Sequence, residues 1–196
     1  MTDDATPRRA RRNRGALIAI LVLFFGSMLV AGLLRFSGWQ PQGSKSHGTV
    51  LSPPVDLREQ APRLLQGGAY AWNPDARTWR ILLVPPAGCT DACTRAANDF
   101  DKVWRLMGRN AERLDILWLC TDAACAVPAP LGADRSLRRL APDPSLRARL
   151  PGIGEGDAAA VRAYLVDPNG FLMMRYPPGA DVGGVRADIA KLLKLI

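Results

Sequence analysis

The chain carries a single histidine, His47, and only four cysteines in 196 residues. A Cys-His catalytic pair therefore has one imidazole to draw on, and so does any copper site that needs one. His47 falls in Ser37–His47, a polar stretch whose Gly, Pro and Ser content reads as a linker, so we expect it idle at the surface. No C-x2-C is present, which weakens both a four-thiolate zinc site and a dedicated C-x2-C oxidoreductase. There is no internal repeat and no low-complexity block. Basic charge is also thin where nucleic-acid binding would need it. Of the net +8, Thr2–Arg14 accounts for +3 and Arg35 for one more, leaving +4 across everything else. We therefore expect no nucleic-acid partner.

What the sequence does contain begins with a long apolar run. Arg8, Arg9, Arg11, Arg12 and Arg14 are followed by the apolar or small stretch Ala16–Leu34, closed by Arg35. About 20 such residues cross a bilayer. A cleaved signal peptide shares the pattern of charge and apolar core, but its core is usually about 7–15 residues, and Leu33-Leu34-Arg35-Phe36 makes a poor cleavage site. The reading is a retained single-pass anchor. Its basic flank places the N-terminus in the cytoplasm. Expected boundaries are 1–14 for a cytoplasmic basic tail, 15–35 for the transmembrane helix, 36–47 for the linker and 48–196 for a folded domain. In a bacterium this puts the domain in the periplasm at the inner membrane, where disulfides persist.

Within the domain, Gly48–Leu57 reads as an opening strand and Thr78–Val84 as a central strand covered on both faces. Ala97, Phe100, Val103, Trp104 and Met107 form one apolar face of a helix over Ala96–Met107. Arg113–Leu119 supplies a second strand, so strand, helix and strand make a right-handed βαβ unit. Ala126–Asp157 is an excursion with short helices expected at Ser136–Leu140 and Pro144–Leu150. Val161–Val166 and Phe171–Tyr176, joined by Asp167-Pro168-Asn169-Gly170, form a hairpin. Val182–Leu195 closes the chain as an amphipathic helix. Trp72, Trp79, Trp104 and Trp118 read as core or half-buried residues. Of Met173 and Met174, at least one must face inward.

The chemistry lies with Cys89 and Cys93, at the turn between the first core strand and the first helix. Thiolate is the reactive form of cysteine, and a helix N-terminus favours negative charge. Residues four apart on a regular helix have Cβ atoms about 5–6 Å apart, too far for the roughly 3.8 Å of a disulfide. A bridge therefore requires Cys89 to precede the helix, while a soft metal such as cuprous copper or zinc could instead span the gap. Cys120 and Cys125 begin where the second strand ends. Adjacent parallel strands would bring both pairs to one carboxyl edge of the sheet, where α/β proteins place their sites. For Cys120 and Cys125 the alternatives are a structural disulfide, a relay partner for Cys89–Cys93, half of a zinc site, or free thiols.

The order of elements, with C-x3-C after the first core strand, resembles the thioredoxin-like α/β fold. With Cys89, Cys93 and Tyr164-Leu165-Val166-Asp167-Pro168-Asn169-Gly170, most of Thr78–Ile196 and the N-terminal anchor resemble the SCO/SenC family of cytochrome oxidase copper chaperones. The resemblance implies Cys89 and Cys93 as copper ligands or redox thiols, and a role in delivering copper to, or reducing, the copper-centre subunit of a respiratory oxidase. It also implies a histidine ligand shortly before Tyr164, but that position falls near Ala159 in Asp157-Ala158-Ala159-Ala160. The family's acidic, proline-containing turn after the second strand is replaced by Cys120–Cys125. The resemblance is thus to a divergent member lacking the copper-ligand histidine, and the chemistry it leaves to expect is a two-thiolate cuprous site or thiol redox. Two other functions fit the same residues: a periplasmic thiol–disulfide oxidoreductase acting on another thiol protein, and a non-catalytic thioredoxin-like interaction protein.

Overall fold

The computed structural model describes residues 6–38, 46–133, 136–157 and 159–194; Ala158 and most of the expected linker, residues 39–45, lie outside them. The chain divides into two units, Met1–Lys45 and Ser46–Ile196.

The first unit contains helix α1, Thr6–Phe36. Its segment Asn13–Phe36 is long and apolar enough to cross a membrane. At 1.5 Å per residue those 24 residues span about 36 Å, against about 30 Å of hydrocarbon. Ser27, a polar residue in mid-span, satisfies its hydroxyl by donating to the Phe24 carbonyl at 2.9 Å.

The second unit is a six-stranded mixed sheet. Its strands are β1 (Thr49–Asp56), β2 (Trp79–Val84), β3 (Leu114–Leu119), β4 (Leu137–Leu140), β5 (Arg162–Val166) and β6 (Phe171–Tyr176), in the spatial order β1-β6-β5-β2-β3-β4. The β2–β3 and β3–β4 pairs are parallel, whereas β5, β6 and β1 pair antiparallel. Pro53 and Pro54 interrupt the register of β1 and are tolerated because β1 is an edge strand.

Side chains of a strand alternate between faces, so β2 divides its apolar residues between two cores. Ile81 and Leu83, with Ile116 and Trp118 of β3, pack with residues of α2 (Asp91–Arg105) and α4 (Val182–Leu192). Leu82, Val84, Leu117 and Leu119 pack on the other face with Leu57, Leu140, Leu146 and Tyr164. All six residues of β2 are buried, as a central strand requires. Met174 is in the first core and Met173 is half-buried beside it. Trp79 and Trp118 are buried, while Trp72 and Trp104 are half-buried with their indole N–H groups donating to backbone carbonyls.

Three local readings are revised. Residues 137–140, expected as helix, form β4, paired with β3 in the register Ile116↔Leu137 to Leu119↔Leu140 and bridged at Leu140 by Leu64. Pairing on both sides outweighs the weak local pattern of Leu-Arg-Arg-Leu. The first domain helix starts at Asp91, five residues before Ala96, because its first turn is small and polar and shows no apolar period. His47 is not idle. Its backbone N–H donates to the buried Asp188 carboxylate at 2.7 Å, its Nδ1 lies 3.3 Å from the other oxygen, and the Gly48 N–H donates at 3.1 Å. The Pro144 helix forms as expected, α3 (Pro144–Arg149), with Asp143 accepting from the Leu146 N–H as its N-cap.

The Asp167–Gly170 turn is tied to β2 by a buried cation. Arg80, 2% exposed, donates from Nη1 to the Asp167 and Pro168 carbonyls and from Nε to the Tyr70 hydroxyl. Tyr70 donates in turn to Asp115 at 2.7 Å, and burial pushes its own pKa up to about 12. A side chain at Gly170 would meet the Trp72 ring at 2.9 Å, and its φ of +96° is one that glycine tolerates best.

Candidate functional site

Beyond β2 the chain runs Pro85-Pro86-Ala87-Gly88 before reaching Cys89, and Gly88 turns with φ +67°. Helix α2 begins two residues after Cys89, so Cys89 precedes the helix and Cys93 lies in its first turn. That offset lets the two cysteines meet: they form a disulfide with a Cα–Cα distance of 5.6 Å, within the usual range. Thr90 gives the helix no side-chain cap. The positive end of α2 is thus directed at the sulfurs, with Asp91 as the acidic residue in that turn. Cys89 is half-buried, whereas Cys93 is 5% exposed. Arg147 of α3 steadies the approach by donating to the Pro85 carbonyl at 3.1 Å.

Cys120 and Cys125 form a second disulfide, with a Cα–Cα distance of 5.3 Å. Cys120 comes directly after β3, and both residues are buried, at 3% and 5% exposure. Asp122 shapes the loop, accepting from the Ala124 and Cys125 N–H groups, each at 2.9 Å. Those bonds, led by the one from Cys125, hold its carboxyl below the ordinary range. Cys125 adopts φ +36°, uncommon for a residue with a side chain.

Because β2 and β3 are adjacent and parallel, both turns leave the same edge of the sheet. Cys89, Cys93 and Cys125 line one cleft of about 220 Å³, together with Pro85, Trp118 and Asp122. A larger cleft of about 360 Å³ runs between α2 and α4. It carries no cysteine, and we place the chemistry in the smaller one. Ala159 lines that larger cleft beside Ala92 and offers no donor atom. His47 lies against Gly184 and Asp188 of α4 and is not part of the cysteine cleft. Among the described residues no three His, Cys, Asp or Glu side chains cluster as a metal site. After reduction, Cys89 and Cys93 would offer two thiolates, which suits cuprous ion rather than a harder metal. Sequence reasoning passed over Trp118 as a wall of the cleft and Asp122 as its cap. The Asx turn was in principle readable from Asp122 two residues before Ala124.

The family model described as "transmembrane-like, thioredoxin-like, C-terminal domain" matches residues 79–196. The chain belongs to this family. No curated protein matches its sequence. Among solved structures, yeast Sco1 superposes with a TM-score of 0.51 at 17% identity, over 69% of this chain and 92% of Sco1. A SCO1/SenC family lipoprotein from Bacillus anthracis gives 0.50 at 15% identity, over 72% and 98%. Trgpx in its apo form gives 0.51 at 8% identity, over 71% and 97%. The thioredoxin-like fold expected from the order of elements is borne out, and the likeness to Sco proteins holds at the level of that fold.

Proposed function

We propose that this thioredoxin-like protein is a membrane-anchored, SCO-like assembly factor for a respiratory oxidase that acts by thiol–disulfide exchange through Cys89 and Cys93. The observation that carries this reading is the bond between a half-buried cysteine before α2 and a buried one within its first turn. In the reduced state the Cys89 thiolate attacks a partner's disulfide, releasing one partner thiolate and forming a mixed disulfide. Cys93 then attacks Cys89 Sγ, releasing the second partner thiolate and restoring the Cys89–Cys93 bond. The partner class is a copper-centre subunit whose cysteines must be reduced before they take metal, or another periplasmic thiol protein. Residues 1–14 stay in the cytoplasm, 15–35 cross the bacterial inner membrane, and the linker that follows tethers the domain in the periplasm.

Full-length Cys93→Ser in its native membrane should accumulate a mixed disulfide with a cysteine-bearing oxidase subunit, seen on non-reducing gels and released by dithiothreitol. Cys89→Ser should trap nothing. Failure of reduced Cys93→Ser to capture any cysteine protein would sink the exchange reading. Copper delivery is the second reading, supported by the two thiolates that reduction would expose. It predicts cuprous binding by the reduced wild type that Cys89→Ala lacks; equal, negligible binding by both removes it.

A further inference from the structure

Two disulfides at one sheet edge raise the question of why the second is there. The loop from Cys120 to Cys125 is already shaped without it, since the Asp122 carboxylate holds both the Ala124 and Cys125 N–H groups. The bond closes only a short loop, where a crosslink contributes least. Cys125 shares its cleft with Cys89 and Cys93, whereas Cys120 lines a separate groove with Ala87, Pro142 and Arg147. The second disulfide is therefore presented to the first pair by one sulfur, with its other sulfur placed to leave.

We infer that Cys120–Cys125 is a second redox centre that exchanges two electrons with Cys89–Cys93 inside the same chain. The inference rests on the thiol-exchange reading proposed for Cys89 and Cys93 and adds an internal acceptor to it. A dithiol donor first reduces Cys89–Cys93. The Cys89 thiolate attacks Cys125 Sγ, the Cys120–Cys125 bond breaks, and Cys120 leaves as thiolate. Cys93 then attacks Cys89 Sγ, the Cys89–Cys125 bond breaks, and Cys125 leaves as thiolate. Two electrons have moved, one disulfide has formed and one has been lost. Each chain thus stores four electrons rather than two.

The test uses the full chain in detergent. Cys93→Ser/Cys120→Ser leaves Cys89 and Cys125 as the only thiols, and mild oxidation with diamide should join them within one monomer, identified by peptide mass spectrometry. Two free, alkylatable thiols in a variant with wild-type circular dichroism would overturn the relay. A wild-type measurement guards against a variant that fails to fold. With one equivalent of dithiothreitol per chain, differential alkylation should find reduced thiols distributed over both pairs. Reduction confined to Cys89 and Cys93 after prolonged incubation overturns it equally. Partner trapping by Cys93→Ser in a Cys120→Ser/Cys125→Ser background separates the two ideas, since the exchange reading survives there even when the relay fails.

Discussion

The two cysteine turns leave neighbouring parallel strands at the same sheet edge and close loops of nearly equal length, yet they are built for different reactivity. After β2 the chain enters α2 without a side-chain cap, so Cys89 and Cys93 sit where a helix's positive end stabilises thiolate. After β3 the chain enters a loop rather than a helix. Asp122 takes up the free N–H groups there and sets a carboxylate beside Cys125. A negative charge at that position repels an incoming thiolate and so slows exchange at Cys125. Helix or loop at the strand's end decides reactivity along this edge, more than cysteine spacing does.

The largest expected effect comes from Trp118, which is buried at 3% exposure and lines the cleft shared by the two turns. Trp118→Ala should cost about 3–5 kcal/mol by cavity formation, and it should narrow the difference in reduction rate between the pairs. Urea unfolding and paired alkylation kinetics would measure both. A loss below about 1 kcal/mol, well short of a core-aromatic truncation, would mean that Trp118 is not a common support.

Removing the bonds themselves comes next. For loops this short the chain-entropy contribution is about 2 kcal/mol each. Cys89→Ser/Cys93→Ser and Cys120→Ser/Cys125→Ser should therefore lower stability by similar amounts, while the second with Cys93→Ser added should still trap the partner and the first should trap nothing. If that triple variant also trapped nothing in a folded protein, the contrast drawn between the turns would be wrong.

Asp122→Ala tests the contrast without touching sulfur. It frees two backbone donors and removes the charge beside Cys125, so the second disulfide should be reduced faster and the first should not change. The same contact has a pH signature. Because folding lowers the Asp122 carboxyl below its ordinary value, its stabilising share is present above the ordinary carboxylate range and is lost as pH falls through the lowered value. Faster reduction of Cys120–Cys125 only once pH falls below the ordinary carboxylate range, absent in Asp122→Ala, would match. Rates must be corrected for the general slowing of thiolate attack in acid.

Much of this was readable from residue pattern. The βαβ unit, the Asp167–Gly170 hairpin and the terminal helix each rest on local periodicity or turn chemistry, and the demand that Cys89 precede its helix came from helix geometry alone. What escaped depends on distant partners. Leu137-Arg138-Arg139-Leu140 becomes a strand because β3 lies on one side and Leu64 bridges the other. The start of α2 was hidden because its first turn is small and polar, with no apolar period to trace. His47 is fastened to Asp188, 141 positions away, a pairing that no local pattern announces.

His47 also supplies the smallest predicted effect. A copper-chaperone reading that needs imidazole has this residue alone to call upon, yet it packs against α4 rather than lying in the cysteine cleft. Its side chain is 51% exposed, and its backbone N–H, not its ring, makes the shorter contact with Asp188. His47→Ala keeps the backbone bond and loses only a partly exposed ring contact, which should cost about 0.5 kcal/mol or less. Reduction rates of both disulfides and cuprous affinity should stay at wild-type values. A drop in cuprous affinity with the thiol kinetics unchanged would bring His47 into a metal site, and the division between the two cysteine turns would then need a third participant.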